Sequence, residues 1–69
     1  MKHHTRLTQF LIRTEDYFVG LTDKPGVRVG FVGGHCFDFP KVHPRYAVAV
    51  ALTAETVEAF HDECMGVYA

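Results

Sequence analysis

Histidine and cysteine are the residue types in this chain that could do the most chemistry. The 69 residues include five histidines and two cysteines. Imidazole nitrogen and thiolate sulfur are donors that zinc prefers, usually four of them in a tetrahedral set. Two of these residues lie three positions apart near the C-terminus, a spacing that places both side chains on one face of a helix. The candidate ligands for a metal site are His35, Cys36, His43, His61 and Cys64.

The spacing of these residues argues against a zinc site. The chain has no C-x-x-C pair, and His35 and Cys36 would point to opposite faces of a regular strand. Cys64 falls where a helix would place an ordinary core cysteine. We therefore expect no metal and no other cofactor, and two free, mostly buried thiols rather than a disulfide. A zinc-binding or pH-responsive domain built on the five candidate ligands is the alternative function.

A histidine beside a glycine turn is the other place where chemistry could be built. Residues 33–35 read Gly-Gly-His, and Cys36 or Cys64 would be the nucleophile of such an enzyme. The Gly-Gly-His run resembles that of small toxin ribonucleases, which implies an RNA-cutting domain. The chain lacks the lysine-rich surface that would hold phosphates. We therefore expect no catalytic residue, and a small hydrolase or ribonuclease-like toxin is the second alternative.

Length, composition and charge predict one folded domain over residues 1–69. The sequence is 48% hydrophobic and 13% aromatic, which excludes a disordered chain and exceeds what so small a core easily buries. A formal charge of −1 gives no general field for phosphates, so nucleic acid is not an expected partner. No apolar run reaches the ~20 residues of a membrane span, and the N-terminus does not read as a signal peptide. We expect a cytoplasmic protein that does not enter membranes.

The first part of the chain is ambiguous between helix and strand. Within residues 5–18, the apolar positions of 7–13 fit a helical stripe as well as a strand face. A polar turn at 14–16 and a strongly β-prone segment at 17–21 follow. These neighbours favour a strand, and with it a first β-hairpin.

Turn residues then divide the middle of the chain into further strands. Pro25 and Gly26 predict a type II turn, with positive φ at the glycine. Residues 27–32 alternate between two faces and predict the third strand. The glycines at 33–34 predict a two-residue hairpin connection to a fourth strand at 35–39.

Residues 45–52 alternate large and small apolar side chains, which predicts a central strand covered on both faces. The bulky residues would fill a core. The opposite face, formed by Ala47, Ala49 and Ala51, would let another layer or a partner chain approach closely.

The C-terminal part predicts a single helix at 54–65, with Thr53 as its N-cap and Gly66 as its stop. Apolar residues recur there at helical spacing and would pack on the sheet. The exposed side of this helix is expected to be acidic, through Glu55, Glu58, Asp62 and Glu63.

Together these elements predict an α+β fold, a small antiparallel β-meander of four to five strands with one C-terminal α-helix packed on the sheet. The expected function is a non-enzymatic protein-binding module, such as an adaptor, a subunit or an inhibitor of the kind that mobile elements encode. It would act through a hydrophobic sheet face and an acidic helix face, and as a homodimer. The expected interface residues are Ala47, Ala49, Ala51, Glu55, Glu58 and Asp62. Protonating the histidines would reverse the sign of the formal charge, so partner association should depend on pH between about 5 and 7.

Overall fold

The computed structural model of the chain describes residues 5–67. Its elements are β1 (Leu7–Arg13), β2 (Tyr17–Thr22), β3 (Gly26–Phe31), β4 (Cys36–Pro40), α1 (Tyr46–Val50) and α2 (Val57–Val67). The strands form one sheet in the order β1-β2-β3-β4, with every neighbouring pair antiparallel. The predicted α+β meander with a C-terminal helix on the sheet is confirmed, with four strands.

The ambiguous first segment is a strand, and β1 and β2 form the expected hairpin. The pairing of β1 with β2 is irregular, because the register shifts once between Leu7 and Gln9 and again between Phe10 and Ile12. Each shift inserts an unpaired residue into β1, as in a β-bulge. The strand at this edge of the sheet therefore lacks a continuous regular ladder.

The chain reverses between β2 and β3 where the sequence predicts it, but not through a type II turn. Gly26 does not have positive φ. It begins β3 instead, and a Cβ added there would lie 2.7 Å from the Phe39 carbonyl oxygen, so glycine is needed for close strand contact. The turn is held by Asp23, whose Oδ1 accepts hydrogen bonds from the backbone N–H groups of Arg6 and Lys24 at 3.0 and 2.8 Å. These bonds, the one from Arg6 first, keep the pKa of Asp23 below its usual value.

Two glycines make the turn between β3 and β4. Gly33 and Gly34 have φ of 96° and 93°, a region that other residues rarely adopt. The Phe31 N–H donates to the His35 carbonyl oxygen at 2.8 Å. Val32 and His35 also lie between β3 and β4, so the connection has four residues rather than the predicted two.

The segment 45–52, predicted as the central strand, is largely the helix α1. The strand prediction is wrong because the alternation of large and small side chains coincides with a helical spacing. Tyr46, Ala49 and Val50 are the residues that meet the core, at positions i, i+3 and i+4. Alanine also has the highest helix propensity of all residues.

The predicted alanine face does not form in a helix. Ala49 is fully buried in the core, whereas Ala47 and Ala51 are exposed. The three side chains therefore share no surface on which a second layer could rest. Whether Ala47 or Ala51 meets a partner stays a prediction.

The C-terminal helix begins and ends later than the sequence indicates. α2 starts at Val57, after a turn in which the Thr53 N–H donates to Thr56 Oγ1 at 3.0 Å. The Val57 N–H donates to the Thr53 carbonyl oxygen at 3.0 Å, so Thr53 still lies at the entry to the helix. Gly66 does not stop the helix, which continues to Val67.

The core lies between one face of the sheet and the two helices. Its fully or nearly buried side chains are Tyr17, Val19, Val27, Val29, Phe31, Phe39, Ala49, Leu52, Phe60 and Cys64. Phe60 of α2 packs against Phe39 of β4, with ring centroids 5.5 Å apart. α1 packs mainly against β2, β3 and β4. All of β1 except Leu7 is exposed.

Candidate functional site

The candidate metal ligands are distributed over different parts of the molecule. His35 and Cys36 are exposed where β4 begins, whereas Cys64 is fully buried in the core. Residues 5–67 contain no group of three or more His, Cys, Asp or Glu side chains placed to hold one metal ion. The zinc-binding alternative therefore has no geometric support in this part of the chain.

The other two candidate ligands pack on separate aromatic rings. The His43 ring lies 5.0 Å from that of Phe39, between centroids, and its Nδ1 accepts a hydrogen bond from the Arg45 N–H at 3.0 Å. The His61 ring lies 4.8 Å from that of Phe31. His43 thus supports the entry to α1, and His61 lies at the opposite edge of the core.

The two cysteines are free and chemically different. Burial, and secondly the carboxylate of Glu63, raises the pKa of the Cys64 thiol, so this side chain is held in its neutral form. Cys36 is exposed, and the prediction of mostly buried thiols is wrong for this residue because it lies on the sheet face opposite the helices.

The expected acidic surface of the C-terminal helix loses one member. Glu55, Glu58 and Asp62 are exposed. Glu63 is only half-exposed, and its Oε1 accepts a hydrogen bond from Arg45 Nη2 at 2.7 Å. The prediction that Glu63 belongs to the exposed face is wrong because this ion pair turns it toward α1.

Arginines on two elements are likewise engaged by carboxylates. Arg28 on β3 binds Asp38 on β4 through two hydrogen bonds of 2.6 and 3.0 Å, and it donates a third to the Thr5 carbonyl oxygen. The carboxylate of Asp38 raises the pKa of Arg28 above its usual value. Arg28 and Arg45 therefore do not present free cations to a phosphate.

Three consecutive large apolar side chains are exposed on β1. Phe10, Leu11 and Ile12 keep 44%, 43% and 36% of their surface accessible. Phe10 lies on the face opposite the helices, opposite Gly20, whereas Ile12 pairs with Val19 on the helix side. Leu11 is the bulged residue between them. These three residues, here called the β1 apolar surface, wrap around the free edge of the sheet.

The Phe10 end of this surface rests on rigid support. The rings of Phe10 and Phe18 meet edge to face with centroids 5.5 Å apart. The Arg13 guanidinium carbon lies 4.9 Å from the Phe10 ring centroid, in cation–π contact. The Phe18 ring in turn fills the space above Gly30. Phe10 is therefore held in place on the face of the sheet opposite the helices.

A cleft opens between the hairpin ends of the sheet and the start of α2. It encloses about 340 Å³. Its lining combines three apolar residues, two carboxylates and one imidazole: Phe31, Val32, Val57, Asp16, Glu58 and His61. This set, here called the acidic cleft, includes only two residues that the sequence singled out, Glu58 and His61.

Local hydrogen bonds fix the position of Asp16 at the cleft. The Thr14 hydroxyl accepts bonds from the N–H groups of Asp16 and Tyr17, both at 3.1 Å, which closes the turn between β1 and β2. The Asp16 carbonyl oxygen accepts the Val32 N–H at 2.9 Å. One wall of the cleft is thereby joined to the β3–β4 turn by a backbone hydrogen bond.

The other wall is the first part of α2. Val57, Glu58 and His61 lie at helix positions i, i+1 and i+4, so their side chains share one side of the helix. The His61 ring closes the cleft against Phe31, and its Nδ1 lies 3.4 Å from Asp62 Oδ1. The cleft can hold an apolar chain that ends in a positive charge.

Comparison with protein-family models, with curated proteins and with solved structures found no match. The cleft and the β1 apolar surface must therefore be interpreted from their own chemistry. No helix within residues 5–67 is both long and apolar enough to cross a lipid bilayer.

Sequence reasoning missed both surfaces for different reasons. The run Phe10-Leu11-Ile12 breaks strict alternation, and this was the available signal that apolar residues lie on more than one face of β1. No such signal exists for Asp16. Its sequence context is that of an ordinary turn residue, and only the fold brings it next to Val32.

Proposed function

We propose that the protein is a small non-enzymatic protein-binding module that associates through the β1 apolar surface, first of all with a second copy of itself. The observation that carries the proposal is the exposure of Phe10, Leu11 and Ile12 on a strand that no other strand covers within residues 5–67. Contiguous exposed apolar side chains of this kind mark interaction sites on protein surfaces.

Self-association would remove the exposed apolar area of the β1 apolar surface from water, which contributes about 25 cal/mol per Å². A stable interface needs about 800 Å² per partner, so neighbouring residues must join the β1 apolar surface in the contact.

The bulges of β1 decide how a partner would meet it. Edge strands extend into a partner's sheet when their backbone donors and acceptors form a regular row, and bulges interrupt that row. With two register shifts in β1, packing of side chains is favoured over a continuous eight-stranded sheet.

A cytoplasmic location also belongs to this proposal, since free Cys36 and Cys64 suit a reducing compartment.

Sedimentation velocity over a range from low to high micromolar concentration tests the proposal. The native chain should reach a mass near twice its 7.8 kDa. Leu11→Gln should weaken the dimer about tenfold, because a polar amide replaces a leucine at the centre of the contact. Val42→Gln is the matched control, since Val42 is 92% exposed and lies in the loop after β4.

Two results would contradict the proposed self-association. A native mass of one chain at every concentration would remove the homodimer. Equal weakening by Leu11→Gln and Val42→Gln would show that association does not use the β1 apolar surface.

A further inference from the structure

We propose that the acidic cleft binds the side chain of an arginine or lysine presented by a protein partner. The aliphatic stem would lie on Phe31, Val32 and Val57, and the cationic head would lie between Asp16 and Glu58. This inference rests on the proposed function in one respect, that the partner is a protein. It uses a different surface from the β1 apolar surface and can be tested separately.

The charge of the cleft is unbalanced. Asp16 and Glu58 have no ion-pair partner among residues 5–67, whereas Asp38 and Glu63 are each bound by an arginine. His61 is the one basic residue among those that line the cleft, and its imidazole contacts Asp62. A guest with one positive charge would therefore complement the two carboxylates.

The size and lining of the cleft select the form of that guest. About 340 Å³ is at the low end for a ligand pocket, which suits one long side chain better than a folded segment. Arginine and lysine carry apolar stems that pack along hydrocarbon while the charged end reaches carboxylates or water. An anionic guest would be repelled by Asp16 and Glu58. A fully apolar guest would leave both carboxylates without a positive partner.

His61 gives this binding a dependence on pH. The groups that face its ring are Glu58 and Asp62 on the same helix, Asp16 across the cleft and the Phe31 ring from β3. A proton on His61 would place a positive charge beside the bound cation. That charge would attract the carboxylates of Asp16 and Glu58 in place of the cation. Affinity for a cationic guest should therefore fall on going from about pH 7.5 to about pH 5.5, the range in which histidines ordinarily gain a proton.

The test uses two pentapeptides, acetyl-Gly-Gly-Arg-Gly-Gly-amide and its counterpart with citrulline, the uncharged analogue of arginine. Each is titrated into isotopically labelled protein and followed by the backbone amide signals. The arginine peptide should shift the signals of Val32, Val57 and His61 in a saturable way at millimolar concentration. The citrulline peptide should bind at least threefold more weakly.

Matched variants locate the charge. Glu58→Gln should weaken the arginine peptide about threefold, the effect of losing one partly exposed ion pair. Glu55→Gln is the control, because Glu55 is an exposed acid near the same end of α2 that does not line the cleft. His61→Gln should remove the difference between the two pH values.

Equal affinity for the two peptides, or shifts that Glu58→Gln leaves unchanged, would overturn the proposal. Absence of saturable shifts at the cleft would do the same. Leu11→Gln should bind the arginine peptide like the native chain. Loss of the dimer with intact peptide binding would thus count against the proposed self-association alone, and the reverse result against the cleft alone.

Discussion

Gly30 leaves the space that the Phe18 ring fills, and the Phe18 ring packs against Phe10 of the β1 apolar surface. A Cβ at this position would overlap the Phe18 ring, which itself carries Phe10. We expect Gly30→Ala to lower the free energy of unfolding by about 1–3 kcal/mol, as overpacking does elsewhere. Chemical denaturation measures the change.

Gly66→Ala is the control for this prediction. A Cβ at Gly66 has no heavy atom within 4 Å, and alanine is favoured over glycine within a helix by roughly 0.5–1 kcal/mol. Its free energy of unfolding should be equal to or above that of the native chain. If Gly30→Ala were equally harmless, Phe18 would be free to move, and the support of Phe10 would be weaker than the packing indicates.

The two thiols provide a second prediction at this scale. Thiolate is the reactive form of cysteine, and burial favours the neutral form of Cys64. A thiol reagent should therefore modify Cys36 at once in the folded protein and reach Cys64 only after denaturant is added. Cys36→Ser should abolish the fast reaction. Fast modification of that variant would mean that α2 opens readily from the sheet.

At the scale of elements, the sheet could be predicted because its signals are local. Alternation within 27–32, the paired glycines at 33–34 and the polar turn at 14–16 each act over a few residues, and the structure places strands and turns there. The predicted type II turn does not form, because Gly26 lacks positive φ and begins β3 instead, where it lies against the carbonyl oxygen of Phe39, thirteen residues away. Long-range contact of this kind has no signature in the local sequence.

The helix α1 could not be separated from a strand by periodicity alone. In 45–52 the apolar residues are so frequent that both a period of two and a period of 3.6 place side chains in a core. The structure uses the second, with Tyr46, Ala49 and Val50 toward the core. The high helix propensity of alanine was the signal that favoured the helix.

The exposed acidic residues of α2 were predictable because a charged side chain needs no partner to lie in water. Glu63 is the exception, because Arg45 forms an ion pair with it.

At the scale of the whole molecule, two surfaces of different chemistry lie at the two ends of the β1–β2 turn. The β1 apolar surface leads through Arg13 into the turn, and Asp16 at the end of the turn begins the acidic cleft. A single partner could therefore contact both, with apolar side chains on β1 and a basic side chain in the cleft. The sequence placed its apolar surface on Ala47, Ala49 and Ala51 instead, so only the fold shows that the β1 apolar surface and the acidic cleft are neighbours.

Salt should separate the contributions of the two surfaces. Raising the ionic strength from about 0.1 M to about 1 M shortens the screening length from about 10 Å to about 3 Å. Binding of the arginine peptide to the cleft should weaken several-fold, since Asp16 and Glu58 are exposed. The dimer should persist, because burial of Phe10, Leu11 and Ile12 does not depend on charge. Peptide titration and sedimentation at both ionic strengths measure these effects. Dissociation of the dimer at high salt would place its contact on the charged residues of α2 instead of on β1. Binding of the arginine peptide that does not change with salt would mean that the aliphatic stem alone, without its charge, holds the guest in the cleft.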